Sequence, residues 1–113
     1  MGIEYKLKKV LDKVTCPVVV EGRSDVLVLS EYGVEDPIPL NGRPLYVVAR
    51  EVSEISDCVV VLTDFDSEGE KIAKKLNTFL DKYDVVPKNS IRRNIKRIVT
   101  KKGISQIENI PKP

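Results

Sequence analysis

Two short runs of apolar, mostly β-branched residues constrain the fold of this chain more than any other feature. They occupy residues 17–20 (PVVV) and 58–63 (CVVVLT). Neither run alternates polar with apolar residues, which is typical of strands covered on both faces, as in the parallel sheets of α/β proteins. Segments with helical spacing of apolar residues lie before, between and after the two runs. The pattern therefore predicts a mostly parallel sheet with helices on both faces.

The remaining elements follow from periodicity and from turn residues. Helices are predicted over residues 3–14, 25–32, 44–55 and 68–83, and a fifth runs from residue 90 to an end at Gly103. Short strands at residues 38–40 and 85–86 complete a mostly parallel, four-stranded sheet, and residues 104–110 are a candidate for a last edge strand. The 113 residues suffice for one domain with its own core. We expect an N-terminal helix within residues 1–15 and a core over residues 16–110.

Acidic residues end both buried strands. Glu21 follows the first strand, and Asp64 and Asp66 follow the second. Because neighbouring parallel strands lie about 4.8 Å apart and end at the same edge, the three carboxylates are expected to converge. Like charges 4 Å apart repel by about 4 kcal/mol at an effective dielectric near 20, and Mg²⁺ or Mn²⁺ would offset that repulsion. The alternatives are that Asp66 caps the next helix and that Asp64 and Glu21 are merely solvated.

Two further acids in the same stretch have a simpler explanation. Ser67 and Glu70 fit a capping box, in which the serine hydroxyl and the glutamate carboxylate bind the first amides of a helix. Glu68 would lie in the first turn, where a negative charge suits the helix dipole. Helix initiation therefore explains these residues without a metal.

The amino-acid composition excludes several kinds of chemistry. The chain has no histidine, so histidine acid–base catalysis, Ser-His-Asp triads and most zinc sites are excluded. No apolar run is long enough to span a bilayer, and the first residues lack the apolar core of a signal peptide. We expect a cytoplasmic protein that does not enter a membrane.

Basic residues are concentrated in the C-terminal segment, residues 87–110. Residues 87–113 carry eight basic and one acidic side chain, against eleven basic and sixteen acidic in residues 1–86. Such asymmetry favours an anionic partner, although a solvated helix face is the alternative. Aromatic residues do not interleave with these charges, which favours recognition of a nucleic-acid backbone over base stacking. The candidate phosphate contacts are Arg23, Lys88, Arg92, Arg93, Lys96 and Arg97.

The two cysteines begin the two buried strands. If those strands are neighbours, Cys16 and Cys58 lie near each other at the edge opposite the acidic residues. We expect small, buried, reduced side chains. A disulfide is the alternative, in the cytosol of a thermophilic archaeon.

The segments VVVEGRSD (residues 18–25) and LTDFDSEGE (residues 62–70) resemble the two signature motifs of the Toprim domain. The chain most resembles small stand-alone archaeal Toprim proteins and the catalytic domain of the ribonuclease that matures 5S ribosomal RNA. The resemblance implies a single Rossmann-like domain in which Glu21 is a general acid or base and Asp64 and Asp66 bind the cation. The resemblance also implies four residues that shape the site. Two glycines would form tight turns beside the acids, and an Asn-Gly turn would lie on the rim of the site. These residues are Gly22, Gly69, Asn41 and Gly42.

The function expected from this resemblance is metal-dependent hydrolysis of phosphodiester bonds. Topoisomerases and primases, which share the Toprim domain, need further domains that are not recognisable here, so strand passage and templated synthesis are not expected. The expected substrate is nucleic acid, with structured RNA favoured over DNA. One alternative is a non-catalytic metal- and nucleic-acid-binding module with a protein partner in a processing complex. Another is hydrolysis of a small polyphosphate.

Overall fold

Four parallel strands form a sheet that carries helices on both faces. The computed structural model describes residues 2–113. The helices are α1 (Ile3–Leu11), α2 (Arg23–Glu31), α3 (Leu45–Ile55), α4 (Ser67–Lys82) and α5 (Asn89–Thr100). The strands are β1 (Val18–Val20), β2 (Ile38–Pro39), β3 (Cys58–Val61) and β4 (Val86–Pro87). The predicted α/β fold with a four-stranded sheet is confirmed, and every strand pair is parallel.

The two central strands divide the core into two layers. Val18 and Val20 of β1 pack on the side of α1, α2 and α5, whereas Val19 packs on the side of α3 and α4. Strand β3 alternates in the same way, so both faces are apolar, as the uninterrupted valine runs predict. Among residues 2–113, no helix is both long enough and apolar enough to cross a membrane.

The strand order β2-β1-β3-β4 creates a topological switch point between β1 and β3. The chain leaves β1 for β2 on one side and then crosses to β3 on the other side. Ligands of open α/β sheets bind beyond the carboxyl ends of the strands at such a point. Val18 and Val19 pair with Val60 and Val61, so the residues that follow β1 lie beside those that follow β3. Glu21 and Asp64 are therefore at the switch point.

Residues 104–110 do not form the candidate edge strand. They run past the carboxyl edge of the sheet and contain a 3₁₀ turn, Ile107–Asn109. The main-chain oxygen of Ser105 accepts a hydrogen bond from Phe65 N at 2.7 Å, and the side chains of Ile107 and Ile110 are buried. A strand cannot bury both isoleucines on one side, because residues three apart face opposite ways. Core packing therefore decides the conformation of this segment.

A disulfide joins Cys16 to Cys58, which corrects the expectation of reduced cysteines. The two Cα atoms are 5.6 Å apart, and the bond closes a sequence separation of 42 residues. Its position follows from the pairing of β1 with β3, which places the two strand starts side by side at the amino edge of the sheet. The structure therefore contains the disulfide that was the alternative, and this disulfide lies at the edge of the sheet opposite the acidic residues.

Candidate functional site

The structure brings Glu21 and Asp64 into direct contact at the carboxyl edge of the sheet. Strand β3 ends at Val61, two residues earlier than predicted, so Asp64 lies in a loop rather than in a strand. In that loop the main-chain N–H of Asp64 donates to Glu21 Oε2 at 2.7 Å. Asp64 Oδ1 in turn accepts a hydrogen bond from the main-chain N–H of Ile107 at 2.9 Å. The backbone thus holds one oxygen of each carboxylate in place.

Asp66 is the N-cap of α4. Its Oδ1 accepts a hydrogen bond from Gly69 N at 2.7 Å. The predicted capping box of Ser67 and Glu70 is therefore wrong, because the helix begins one residue earlier than that box requires. Asp66 thus caps the helix, as the alternative predicted, but with only one of its two carboxylate oxygens. The other oxygen accepts no hydrogen bond from residues 2–113.

Each of the three carboxylates, Glu21, Asp64 and Asp66, therefore keeps one oxygen without a protein hydrogen bond. None of these free oxygens is a buried, unsatisfied atom, so all three have access to solvent. No lysine or arginine of residues 2–113 forms an ion pair with them. Burial raises the pKa of Glu21, the N–H of Asp64 opposes this, and the charges of Asp64, Asp66 and Asp25 raise the pKa further. The site has uncompensated negative charge.

Asp25 is a fourth acid of this site, and the sequence analysis missed it. It is 6% exposed, and its Oδ2 accepts a hydrogen bond from Gly22 N at 3.1 Å. Burial raises the pKa of Asp25, the Gly22 N–H lowers it, and the charges of Asp64 and Glu108 raise it. Its position in the first turn of the predicted second helix could have drawn attention to Asp25, because an acidic side chain there can bind the first main-chain N–H groups.

The two site-shaping glycines have different surroundings. A Cβ added to Gly69 would lie 2.0 Å from the carbonyl oxygen of Asp64, so only glycine lets α4 start this close to the loop. Thr63 Oγ1 also donates to the main-chain oxygen of Gly69, at 2.7 Å. Gly22 is the extended N-cap of α2, with nothing within 4 Å of an added Cβ. The chain bends at residues 21 and 22, but neither the φ of Gly22 nor the space around it requires glycine there.

A tight turn does occur on the rim, at residues 41 and 42. Asn41 and Gly42 both have positive φ, +49° and +72°. The main-chain N–H of Asn41 donates to the carbonyl oxygen of Glu21 at 3.0 Å. This hydrogen bond places the turn directly beside the first strand end.

Arg92 lies inside the protein and is not an exposed phosphate contact. It is 7% exposed, and its guanidinium donates to the carbonyl oxygens of Val61, Thr63 and Asp64 at 3.0, 2.9 and 3.2 Å. It also binds Glu70, which binds Lys96 as well. The expectation that Arg92 contacts nucleic acid is corrected, because its donors are occupied by the chain that follows β3.

The other candidate phosphate contacts lie at or near helix starts and along α5. Arg23 is exposed at the first residue of α2, and Lys88 is exposed at the N-cap of α5. Arg93 and Arg97 are exposed on α5, and neither forms an ion pair within residues 2–113. Free cations beside helix N-termini suit phosphate oxygens. Lys96 differs from them, because Glu70 already neutralises it.

The chemistry of the donor set fits a partly hydrated divalent cation. Among residues 2–113, no three acidic or cysteine side chains are close enough to form a ready-made metal cage. Mg²⁺ commonly uses one or two protein carboxylates and completes its coordination with water and phosphate oxygens. The free oxygens of Asp64 and Asp66 provide that minimum. They are the wrong donors for a closed, structural zinc site.

Comparison with known proteins gives the same assignment as the motifs. Residues 16–101 match the Toprim domain. A UPF0292 protein of Thermococcus sibiricus is 37% identical over 109 residues, covering 93% of this chain and 85% of that protein. A UPF0292 protein of Methanosarcina barkeri is 30% identical, covering 82% of this chain and 65% of that protein, so the chain spans less than two thirds of its length.

The fold is also similar to a solved structure. A protein from Aquifex aeolicus superposes with a TM-score of 0.73 and 26% identity, covering 96% of this chain and 94% of that one. Toprim domains bind divalent metal ions, and they act on nucleic acid in nucleases, primases and topoisomerases. The motif match covers both Glu21 and the loop with Asp64 and Asp66. The chain belongs to the Toprim domain family, and its relatives are small archaeal proteins.

Proposed function

We propose that this protein hydrolyses phosphodiester bonds in nucleic acid, structured RNA in preference to DNA, with Mg²⁺ or Mn²⁺ as its cofactor. The observation that carries the proposal is the arrangement of the carboxylates of Asp64, Asp66 and Glu21: the first two lie in one loop, and Glu21 accepts a hydrogen bond from that loop. Each has one oxygen held by a main-chain N–H and the other open to solvent. Fixed and uncompensated carboxylates are what a cation that works on phosphate oxygens requires.

Asp64 and Asp66 are the proposed metal ligands. Both free oxygens belong to one short loop, and hydrogen bonds from Ile107 N and Gly69 N fix the orientation of the two carboxylates. A divalent cation bound there would neutralise charge on the phosphate and lower the pKa of a bound water. Ligands fixed before the cation arrives need little reorganisation when it binds.

Glu21 is the proposed proton carrier. Its Oε2 is held by the Asp64 N–H, which leaves Oε1 to exchange a proton with water or with a leaving oxygen. Its raised pKa brings the carboxyl closer to the pH at which a group can both take and give a proton. A metal-binding role for Glu21, on a cation shared with Asp64, also belongs to the proposal.

The exposed cations around this edge would position the substrate backbone. Arg23 lies two residues after Glu21, and Lys88 and Arg93 lie in the first turns of α5. Guanidinium and ammonium groups bind phosphate oxygens without reading the base sequence. This arrangement favours a substrate recognised by its shape and backbone. The resemblance to the ribonuclease that matures 5S ribosomal RNA makes structured RNA the first substrate to test.

The test is cleavage by the purified full-length chain. Precursor 5S RNA, duplex DNA and nucleotides are incubated with the protein in Mg²⁺, Mn²⁺ or chelator, and products are resolved by gel electrophoresis or chromatography. We expect metal-dependent cleavage of RNA that Asp64→Asn lowers by at least about 100-fold. Asp57→Asn is the matched control, because Asp57 is exposed at the opposite end of β3, and it should leave the rate unchanged.

A second measurement tests the metal site itself. Calorimetric titration with Mn²⁺ should show weaker binding for Asp64→Asn and Asp66→Asn than for wild type or Asp57→Asn. Equal affinities in all four proteins would refute the assigned ligands. Absence of cleavage of every substrate, with intact cation binding, would refute the hydrolase proposal.

One observation favours a second candidate, a non-catalytic metal- and nucleic-acid-binding module of a larger processing complex. No cluster of three ligands is preassembled within residues 2–113, so a partner or substrate would have to complete the site. This candidate predicts that RNA binds without being cut. It also predicts that a protein partner co-purifies with the tagged chain and restores cleavage when added back.

A further inference from the structure

A groove runs between α1 and α5, and none of the residues that line it belongs to the acidic site. It consists of two adjoining depressions of about 470 and 360 Å³ that share Lys9, Val10 and Asn94 in their linings. The start of α1 lies beside the end of α5, since Ile3 lines the groove together with Ile98. The two helices therefore run antiparallel, with a continuous groove between them.

The groove is lined by cations and by no acid. Six basic side chains line the two depressions, and no aspartate or glutamate of residues 2–113 does so. None of the six has an acidic partner within 4 Å among the described residues. All six are exposed. They are Lys6, Lys9, Lys13, Arg97, Lys101 and Lys102.

Folding does not account for this arrangement. Cations in the last turns of α1 and α5 suit the helix dipoles, which explains Lys9 and Arg97 separately. However, Arg97 and Lys101 are four residues apart, a spacing at which like charges destabilise a helix. On another side of α1, Lys8 forms an ion pair with Asp12 at 2.7 Å and also donates to the carbonyl oxygen of Tyr32. The lysines that face the groove have no such partner, so an external anion is the missing component.

The shape of the groove selects the kind of anion. Helix α1 has nine residues and is about 14 Å long, so a row of cations along it is long enough to contact more than one phosphate of a strand. None of the large exposed apolar side chains of the described residues lines the groove, although Tyr5 lies beside it, with its ring centroid 5.5 Å from Lys9 Nζ. A linear row of cations in a concave groove suits the phosphate backbone of a duplex.

We infer that the α1–α5 groove binds the sugar-phosphate backbone of a duplex nucleic acid, away from the acidic site. Helix α5 connects the two sites, because its Arg92 donates to the carbonyl oxygen of Asp64. A duplex held along α5 would be connected through this one helix to the loop that carries Asp64 and Asp66. The inference rests on the proposed function only in taking the polyanion to be nucleic acid.

The test compares two triple variants of equal charge in chelator, so that no cleavage takes place. The groove variant is Lys6→Gln, Lys9→Gln, Lys13→Gln, and the control is Lys71→Gln, Lys75→Gln, Lys82→Gln on the exposed surface of α4. Binding of labelled duplex RNA and duplex DNA is measured by fluorescence anisotropy from 50 to 300 mM salt. The groove variant should lose about 10- to 100-fold in affinity, with a salt slope lower by about 2–3. The control should lose less than about 3-fold.

The outcomes separate this inference from the proposed hydrolase activity. Equal losses in the two triple variants, or no loss in either, would overturn the groove assignment even if RNA is cleaved. Loss confined to the groove variant supports it even if no substrate is cut. Binding of phosphatidylserine vesicles that depends on the groove lysines, with unchanged affinity for both duplexes, would overturn it in favour of a membrane surface. Circular dichroism confirms that both triple variants are folded.

Discussion

Arg92 gives the sharpest test of how this site is held together. In Arg92→Met the apolar stem is kept and the guanidinium is removed. The variant loses donors to the carbonyl oxygens of Val61, Thr63 and Asp64 and leaves Glu70 without its buried partner. The three carbonyl acceptors lie in the segment that runs from the last residue of β3 to Asp64.

The expected destabilisation can be worked from these contacts. A hydrogen bond with a charged partner contributes about 1.5–3 kcal/mol, and such contributions are not additive within one cluster. Removing one partner of a buried ion pair costs about 3–5 kcal/mol, which we take as the expected loss for Arg92→Met. Glu70 is 37% exposed, which favours the lower end of that range. At about 4 °C per kcal/mol for a domain of this size, the melting temperature should fall by about 12–20 °C.

The neighbouring arginine provides the control. Arg93 is exposed on the same helix and forms no ion pair within residues 2–113, so Arg93→Met should change the unfolding free energy by less than about 0.5 kcal/mol. Guanidinium unfolding followed by circular dichroism compares the two variants with wild type under oxidising conditions. Midpoints for Arg92→Met and Arg93→Met that agree within error would refute the structural role assigned to Arg92.

Three further predictions concern stability. Gly69→Ala should lower the unfolding free energy by about 1–3 kcal/mol and weaken Mn²⁺ binding, because the new Cβ meets the Asp64 carbonyl oxygen. The control Gly22→Ala should change neither quantity, because the space around its Cβ is open. Reduction of the disulfide should lower the unfolding free energy by about 4 kcal/mol, and a Cys16→Ser, Cys58→Ser variant should no longer respond to reductant. Burial opposes ionisation of Glu70, but Arg92 and Lys96 outweigh this effect and lower the pKa of Glu70 below 4.5. The loss of unfolding free energy in Glu70→Gln, measured by urea titration, should therefore be full at neutral pH and should shrink as the pH falls below 4.5.

The sequence predicted well those features that depend on local pattern and on strand geometry. The valine runs identified β1 and β3, and parallel pairing was enough to expect Glu21 near Asp64. The main-chain N–H of Asp64 lies 2.7 Å from Glu21 Oε2, but among residues 2–113 no three acidic side chains converge closely enough to hold one cation. The loop that carries Asp64 and Asp66 was mispredicted in detail, because β3 ends at Val61 and main-chain N–H groups, not strand geometry, orient the two aspartates.

The contacts that the sequence did not reveal join residues far apart in the chain. Glu70 was assigned to a helix cap because Ser67 lies three residues before it, whereas its partners lie on α5, 22 and 26 residues later. Arg92 was assigned to the surface by its charge alone. Yet Arg92, Ile95 and Val99 are the buried residues of α5, at spacings of three and four. An arginine on the apolar stripe of a helix was the available signal, and only the tertiary structure supplies the carbonyl oxygens that satisfy it.

The disulfide also has a kinetic consequence for the acidic site at the other end of the same strands. Pairing of β1 with β3 is a non-local step, since the two strand starts are 42 residues apart. In an oxidised but unfolded chain that loop is already closed, so the entropy of closing it no longer contributes to the folding barrier. If the pairing of the two strands slipped by two residues, Glu21 would shift along the strand by about 6.6 Å relative to Asp64. The covalent link opposes intermediates with such a shifted register. The oxidised chain should therefore refold faster than the reduced chain and form the Asp64–Glu21 hydrogen bond in the same kinetic phase.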